Sequence, residues 1–430
     1  MNLLRLCRWM CFSKALLLSA LAARANDWPQ WRGTNRDGVW NESGVLQSFP
    51  TDGLKVCWRA PVGAGLSSPV VAQGRVFVTD AIAKEKPTAW ERVQCFDEKT
   101  GALLWTHKYE AKYYDWAFDP KSPIGPGATP IVEDGKVFTL GAAGDLFCLD
   151  ALNGSVVWKR NTSAEFGLAE LSGCTPSPLI EGDLLILIVG GKPDAGVVAF
   201  NKNSGKEVWR ALSDMWTYSS PIVITAGGHR QLIVWTPQAV TSLDPATGKT
   251  WWRHPMTTQG DYAIATPVLR GHRLLVSGLM FQLDRDKPGA TVLWPDTLAL
   301  SRRILSRTSI PLLQDGYVYS DKSNGRLVCL EEETGKQVWE TDSLTDHKAG
   351  SSIQITPNGD SALLYTNEGN LIRAHLTAKG YEELSRVHLI DPTYFLAGRN
   401  LAWPPPAFAN RRVFVRNDKE LICASLAEAE

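Results

Sequence analysis

Most of the residue patterns that mark an enzyme are missing from this chain. Its seven histidines are scattered, with neither HxH nor HExxH, so no transition-metal site is visible. No CxxCH offers a haem, no two cysteines are adjacent, and no GxSxG elbow suggests a serine hydrolase. An excess of one charge is missing too, with 45 Lys and Arg against 45 Asp and Glu. The first 25 residues hold Arg5, Arg8, Lys14 and Arg24 but no acid, which leaves residues 26–430 with 41 basic and 45 acidic groups, a net of −4. A weakly acidic chain without basic clusters has no electrostatic footprint for nucleic acid.

Long apolar runs are also scarce. The run Ala15 to Ala23 covers roughly 14 Å as a helix, against the ~30 Å of a bilayer core. A basic stretch ending at Lys14 precedes it, and Ala23-Arg24-Ala25 follows with small residues at cleavage positions. The order predicts a secretory signal over residues 1–25, cleaved after Ala25. The expected location is the periplasm or the exterior, with no transmembrane segment left; an uncleaved N-terminal anchor is the alternative. Cys7 and Cys11 lack a lipoprotein cleavage context, so no lipid anchor is expected.

What the sequence does have is a repeat. Trp58, Trp105, Trp158, Trp209, Trp252, Trp294 and Trp339 recur at gaps of 47, 53, 51, 43, 42 and 45 residues. Several end similar segments: DEKTGALLW (97–105), DALNGSVVW (150–158), NKNSGKEVW (201–209), DPATGKTWW (244–252) and EEETGKQVW (331–339). In each, the Asp, Asn or Glu can accept hydrogen bonds from turn amides, and Gly supplies the positive φ that closes a hairpin. Upstream lie short apolar strands such as VQCF, LFCL, VVAF and LVCL. Further upstream are tight turns at Gln73-Gly74, Asp134-Gly135, Gly182-Asp183, Asp315-Gly316 and Asn358-Gly359, strong hairpin signals between apolar runs.

Each unit thus reads as four antiparallel strands in about 45 residues, the size of a propeller blade. Inner strands are expected at SSPVV (67–71), ATPIV (128–132), TPSPLI (175–180), SSPIVI (219–224), ATPVL (265–269), SIPLL (309–313) and SSIQI (351–355). Residues 404–426 supply three more strands and no fourth. The missing outer strand matches Leu54–Arg59 at the other end, and joining the two removes two exposed sheet edges. The expectation is an all-β, eight-bladed β-propeller of four-stranded blades, closed by an N-terminal outer strand. It divides the chain into a signal (1–25), an N-terminal arm (26–53) and the propeller (54–430). Two units depart from the pattern: Trp294 follows Gly289 by five residues, and HLTAKGYEEL (375–384) puts Leu384 in the tryptophan position.

Five copies of [D/N/E]xx[T/S/N]GxxxW resemble the docking motif of the PQQ-like (quinoprotein-type) propeller repeat. That family includes eight-bladed quinoprotein alcohol dehydrogenases and the propeller lipoprotein of the outer-membrane barrel assembly machinery. The opening DWPQWRG (27–33) is similar to the N-terminus of exported PQQ-like propellers of planctomycete-type bacteria. The resemblance covers residues 54–426 and implies an architecture; fold alone does not fix function.

The repeated tryptophans are expected to dock blades, since a large ring fills the widening gap between twisted sheets. Cys95, Cys148, Cys329 and Cys423 occupy one repeat position on the third strand, where other blades carry Ala199 or Ser242. They read as small buried residues, too far apart between blades for bridges. Dehydrogenases of the resembled family hold a quinone with calcium on the axis, and commonly add a disulfide of adjacent cysteines. This chain lacks that pair and the long insertions that build the pocket, so no cofactor is predicted and PQQ with calcium is the alternative. Asp214 and Asp261 are the axial-loop carboxylates nearest such a role. The loops from each outer strand to the next inner strand converge on one end of the axis, where function usually resides. Trp116, Trp216, Tyr218, Tyr262 and Arg303 in those loops either form a binding patch for a protein partner or small polar ligand, or plug the loop ends. The sequence therefore favours a non-catalytic binding or scaffold propeller. A PQQ-dependent dehydrogenase and a carbohydrate-binding propeller are the alternatives.

Overall fold

The computed structural model of the chain describes residues 26–113, 124–168, 176–256, 263–295, 304–346, 351–396 and 398–428. The expected signal segment lies outside them. Eight four-stranded antiparallel sheets form the ring, seven of them from strands consecutive in the chain. Blade 1 comprises Val70–Ala72, Arg75–Ala83, Thr88–Asp97 and Leu103–Lys112. Blades 2 to 7 repeat that order. Blade 8 draws Ala407–Ala409, Arg412–Arg416 and Glu420–Ser425 from the C-terminal end, and its outer strand is Val56–Pro61. The ring closes as the sequence predicts, with the strand two residues further on than Leu54–Arg59.

The inner strands begin later than expected, and proline is the reason. In seven blades the ladder starts at the residue after proline, for example Val70 after Pro69 and Ile131 after Pro130, because proline has no N–H to donate. In blades 1 to 5 the residue before that proline is Ser or Thr, and in the first three blades its amide bonds sideways instead. The Ser68 amide donates to Thr129 Oγ1 (3.1 Å), the Thr129 amide to Ser177 Oγ (3.0 Å), and the Ser177 amide to Ser220 Oγ (2.9 Å). A hydroxyl rim thereby staples the inner edges of blades 1 to 4.

The outer edges are joined by tryptophan, through a device the sequence conceals. In every blade the register between third and outer strands slips by one residue, leaving one extra residue beside the tryptophan position. Such a bulge bends the outer strand and re-aims the side chain. Trp105 then lies opposite Cys95, Trp158 opposite Cys148, Trp209 opposite Ala199 and Trp339 opposite Cys329. A small residue lies opposite each of these four indoles, whereas Trp294 faces Met280. All four of those cysteines, Cys423 included, are buried. Burial pushes the Cys95 and Cys148 thiols up to about 12 and Cys329 up to about 11, so they are inert at neutral pH.

Each indole reaches forward to the next blade. Trp58 Nε1 donates to Glu98 O (2.9 Å), Trp105 to Ala151 O (3.1 Å), Trp158 to Lys202 O (3.0 Å) and Trp209 to Pro245 O (3.1 Å). Trp294 donates to Glu332 O (2.8 Å) and Trp339 to Thr377 O (2.8 Å). The motif glycine has a second duty here. A Cβ on Gly101 would stand 2.6 Å from the Trp58 ring, and one on Gly335 would stand 2.6 Å from the Trp294 ring. At Gly101, Gly154, Gly205, Gly248 and Gly335 the glycine is therefore the floor on which the preceding blade's tryptophan rests.

Two joints depart from the rule. Trp252 Nε1 bonds Gln231 Oε1 of its own blade (2.9 Å), because blade 5 has a longer turn with no glycine floor for it. In blade 7 the register puts Ser385, not Leu384, opposite the third strand at the tryptophan position, facing Arg373. The two-residue turn between Thr377 and Gly380 shifts the outer strand by one, so Leu384 is the bulge residue. Phe49 of the N-terminal arm joins the buried cluster at this joint, and its amide donates to Ser385 Oγ (2.8 Å).

Candidate ligand site on the propeller axis

The strands converge on an axial cavity of ≈ 250 Å³. Its wall is the hydroxyl rim, with Ser177, Ser220, Thr308 and Ser352, and its aromatic lining is Trp31, Tyr218, Tyr394 and Trp403. Tyr394 and Trp403 come from the connection between blades 7 and 8, which folds into a hairpin of Tyr394–Leu396 and Arg399–Leu401. Their ring centroids lie 6.4 Å apart.

Trp31 belongs to the N-terminal arm, which enters from the side of the inner hairpin turns. The Asp27 carboxylate accepts the Gln73 amide (3.1 Å), Trp28 pairs with Val71, and the Val132 amide donates to Pro29 O (2.8 Å). Trp31 Nε1 then donates to Thr266 Oγ1 (2.9 Å). Arg36 is buried and donates to Pro178 O (2.7 Å), Ser177 O (3.4 Å) and Pro221 O (3.1 Å). Desolvation outweighs every other influence on this guanidinium and pulls its pKa down to about 9. Three backbone carbonyls, rather than a carboxylate, compensate the buried charge. The arm thus occupies one end of the channel with its own indole.

Of the loop residues singled out from sequence, Tyr218 lines the cavity. Trp216 packs edge-on against it, centroids 5.0 Å apart, and Met215 beside them is exposed. Trp116, Tyr262 and Arg303 lie outside the described residues, as does Asp261. The channel aromatics that sequence reasoning missed are Trp31, Tyr394 and Trp403. DWPQWRG was conspicuous as a motif, but no periodicity pointed its second tryptophan at the axis.

A quinone with calcium does not fit the described wall. None of the lining residues carries a charge, whereas calcium wants a shell of anionic and carbonyl oxygens and a polyanionic quinone wants cations. Asp214 is already spent. Its carboxylate takes Arg253 through both oxygens (3.0 and 3.1 Å) and the Thr236 hydroxyl (2.6 Å). Among the described residues no three His, Cys, Asp or Glu gather as a metal site.

One buried acid stands a layer behind the wall. Asp321 is fully buried, and among the described residues no cation pairs with it. Desolvation raises its carboxyl to about 8, with the Ser309 hydroxyl pulling the other way. Its folded pKa is above the unfolded value near 3.9, so the folded state holds the extra proton between about pH 4 and 8. Stability from this group is full below that window and is lost as pH rises through it. Asp321→Asn should melt higher than the parent at pH 8.5, with the difference shrinking steadily towards pH 4. A constant difference across that range would refute the assignment.

The architecture and the axial site define the class: a PQQ-like β-propeller. The chain belongs to the family described as outer membrane protein assembly factor BamB, whose model matches residues 41–192, 89–341 and 282–382. The BamB of Burkholderia pseudomallei is 26% identical over 304 residues, 67% of this chain and 72% of that protein. The dehydrogenase subunit of the quinone alcohol dehydrogenase of Gluconacetobacter polyoxogenes is 25% identical over 202 residues. That match takes in 43% of this chain but only 25% of the dehydrogenase subunit. Among solved structures, the quinohemoprotein alcohol dehydrogenase of Comamonas testosteroni superposes with TM-score 0.62 at 16% identity, covering 96% of this chain and 82% of that one. At such identity the likeness carries the fold alone. No described helix is long and apolar enough to cross a membrane.

Proposed function

We propose that the protein is an exported, non-catalytic propeller that serves as a binding or scaffold module in outer-membrane protein assembly. The observation that carries this reading is the axial cavity. In the quinone enzymes the axis houses the cofactor; here one end holds Trp31 of the chain's own arm, and the described lining has no charged side chain. Family membership supports the assembly context, and the basic, apolar and Ala-x-Ala order of residues 1–25 supports export. The partner of this reading is a protein whose apolar or aromatic side chain enters at Tyr218, Trp216 and Met215. Aromatic anchors beside a pocket favour such contacts.

The test uses the mature chain with a photo-crosslinking amino acid at Met215, the exposed neighbour of the cavity mouth. Irradiation in a bacterial envelope extract should yield a discrete adduct containing an outer-membrane assembly protein. A parallel titration with quinone and calcium should leave the melting midpoint unchanged. Stoichiometric quinone binding with dye-linked alcohol oxidation would overturn the proposal in favour of a dehydrogenase.

A further inference from the structure

The closing blade carries a feature no other blade has. Its bulge residue, next to Trp58, is Cys57. The equivalent residues elsewhere are Leu104, Val157, Val208, Trp251, Leu293, Val338 and Leu384, and Leu104, Val157, Val208 and Val338 are 46%, 49%, 52% and 40% exposed. A large hydrophobic side chain has been replaced by a thiol at the one joint where the two ends of the propeller meet.

That thiol has a partner. The register runs Val56 opposite Ala424, then Trp58 opposite Cys423, so Cys57 is the extra residue and two residues of the outer strand face Cys423. Directly opposed antiparallel residues have Cα atoms about 4.5–5.5 Å apart, inside the range a disulfide spans. Cys57 is exposed and Cys423 is buried. Burial chiefly, and the neighbouring Cys57 thiol next, push the Cys423 thiol up; the two sulfurs therefore interact across the strand pair. Among the described residues, Cys95, Cys148 and Cys329 have no such neighbour, because each sits opposite a tryptophan with an aliphatic bulge residue beside it.

We infer that Cys57 and Cys423 form a redox latch, a disulfide that locks the N-terminal strand to the C-terminal strand and makes the propeller a covalently closed ring. The chemistry is thiol–disulfide exchange with an external disulfide, small or protein-borne, as oxidant. The exposed Cys57 thiolate attacks one sulfur of that disulfide, forming a mixed disulfide and expelling one thiolate. Cys423, deprotonated as it approaches, attacks the Cys57 sulfur and expels the second. Two protein thiols are oxidised and one external disulfide is reduced, the two protons passing through solvent to the two expelled thiolates, which leave as thiols. The division of labour follows exposure: Cys57 meets the oxidant and Cys423 resolves.

The latch joins residues that are nearly a whole propeller apart in sequence, where a cross-link restricts the unfolded chain most. It also acts at the seam between Val56–Pro61 and Glu420–Ser425, which no continuous chain crosses.

The mature chain is equilibrated with oxidised glutathione, then digested with trypsin without reduction. A peptide pair VCWR (56–59) joined to ELICASLAEAE (420–430) is expected. The melting midpoint at fixed scan rate should rise by roughly 5 °C or more. Dithiothreitol should reverse the shift, and neither Cys57→Ser nor Cys423→Ala should show it. Cys423→Ala is expected to fold, since blade 3 carries Ala199 at that position. Glutathione stably attached to Cys57 alone, a dimer through Cys57, free alkylation of Cys57 after oxidation, or a 57–423 link without stabilisation would each overturn the latch.

Discussion

A chain shortened to begin at residue 62 is expected to lose cooperative unfolding, whereas one beginning at residue 54 should keep it with a lowered midpoint. The difference between them is the strand Val56–Pro61. Removing it bares the whole edge of Glu420–Ser425 and takes away Trp58, whose indole spans to Glu98 of blade 1. Two neighbours lose an interface at once, and an open edge is also a template for aggregation. The shorter deletion removes Trp31, Arg36 and Phe49 but leaves every blade four-stranded. Calorimetry and unfolding rates distinguish the two, rates being needed because a chain of this size tends to unfold irreversibly. Equal melting of both truncations would show that the ring does not depend on its terminal strand.

The second large effect is at the joint of blades 5 and 6. Trp294 is buried and rests on Gly335, so Trp294→Ala should destabilise by about 3–5 kcal/mol, the usual cost of removing a buried large aromatic. Gly335→Ala should cost about as much, from two sources. A side chain at φ 69° is strained by roughly 1–2 kcal/mol, and its Cβ drives into the ring. In the double variant the collision is gone and only the backbone strain remains, so the two changes should sum to less than their parts. Trp252→Ala, whose indole bonds within its own blade, should cost less than Trp294→Ala. Additive behaviour in the double variant would refute the floor-and-ring account.

The blades were legible because their signals are local. A turn acid, a glycine and a tryptophan fall within nine residues, and hairpin dipeptides lie between alternating apolar runs. Closure was legible too, since Leu54–Arg59 carries the same outer-strand pattern. The partner of each glycine was not, because Gly101 belongs to Trp58 rather than to Trp105, a pairing across some forty residues that no single repeat displays. The bulge was hidden for a related reason. An extra residue leaves no compositional mark, and that is why Leu384 was placed where Ser385 stands. The axial site was the least legible part. Trp31 and Arg36 reach rim residues 235 and 142 positions away, and contacts of that range follow from the closed ring rather than from any periodicity. Of the two loop candidates among the described residues, Tyr218 lies on the cavity and Trp216 packs against it.

The forward reach of the indoles also sets an order of events during synthesis. Trp58 precedes blade 1 in the chain, and its acceptor Glu98 and floor Gly101 belong to that blade. The outer strand of blade 8 therefore has its docking place as soon as blade 1, which ends at Lys112, has emerged, about 300 residues before its own blade-mates at Ala407–Ser425 exist. It waits there with one face anchored and its pairing edge open. Glu420–Ser425, made long after blade 1, then adds to an edge already fixed in position. Closing the ring becomes a docking of one late strand onto a seated template, not a search by two loose ends.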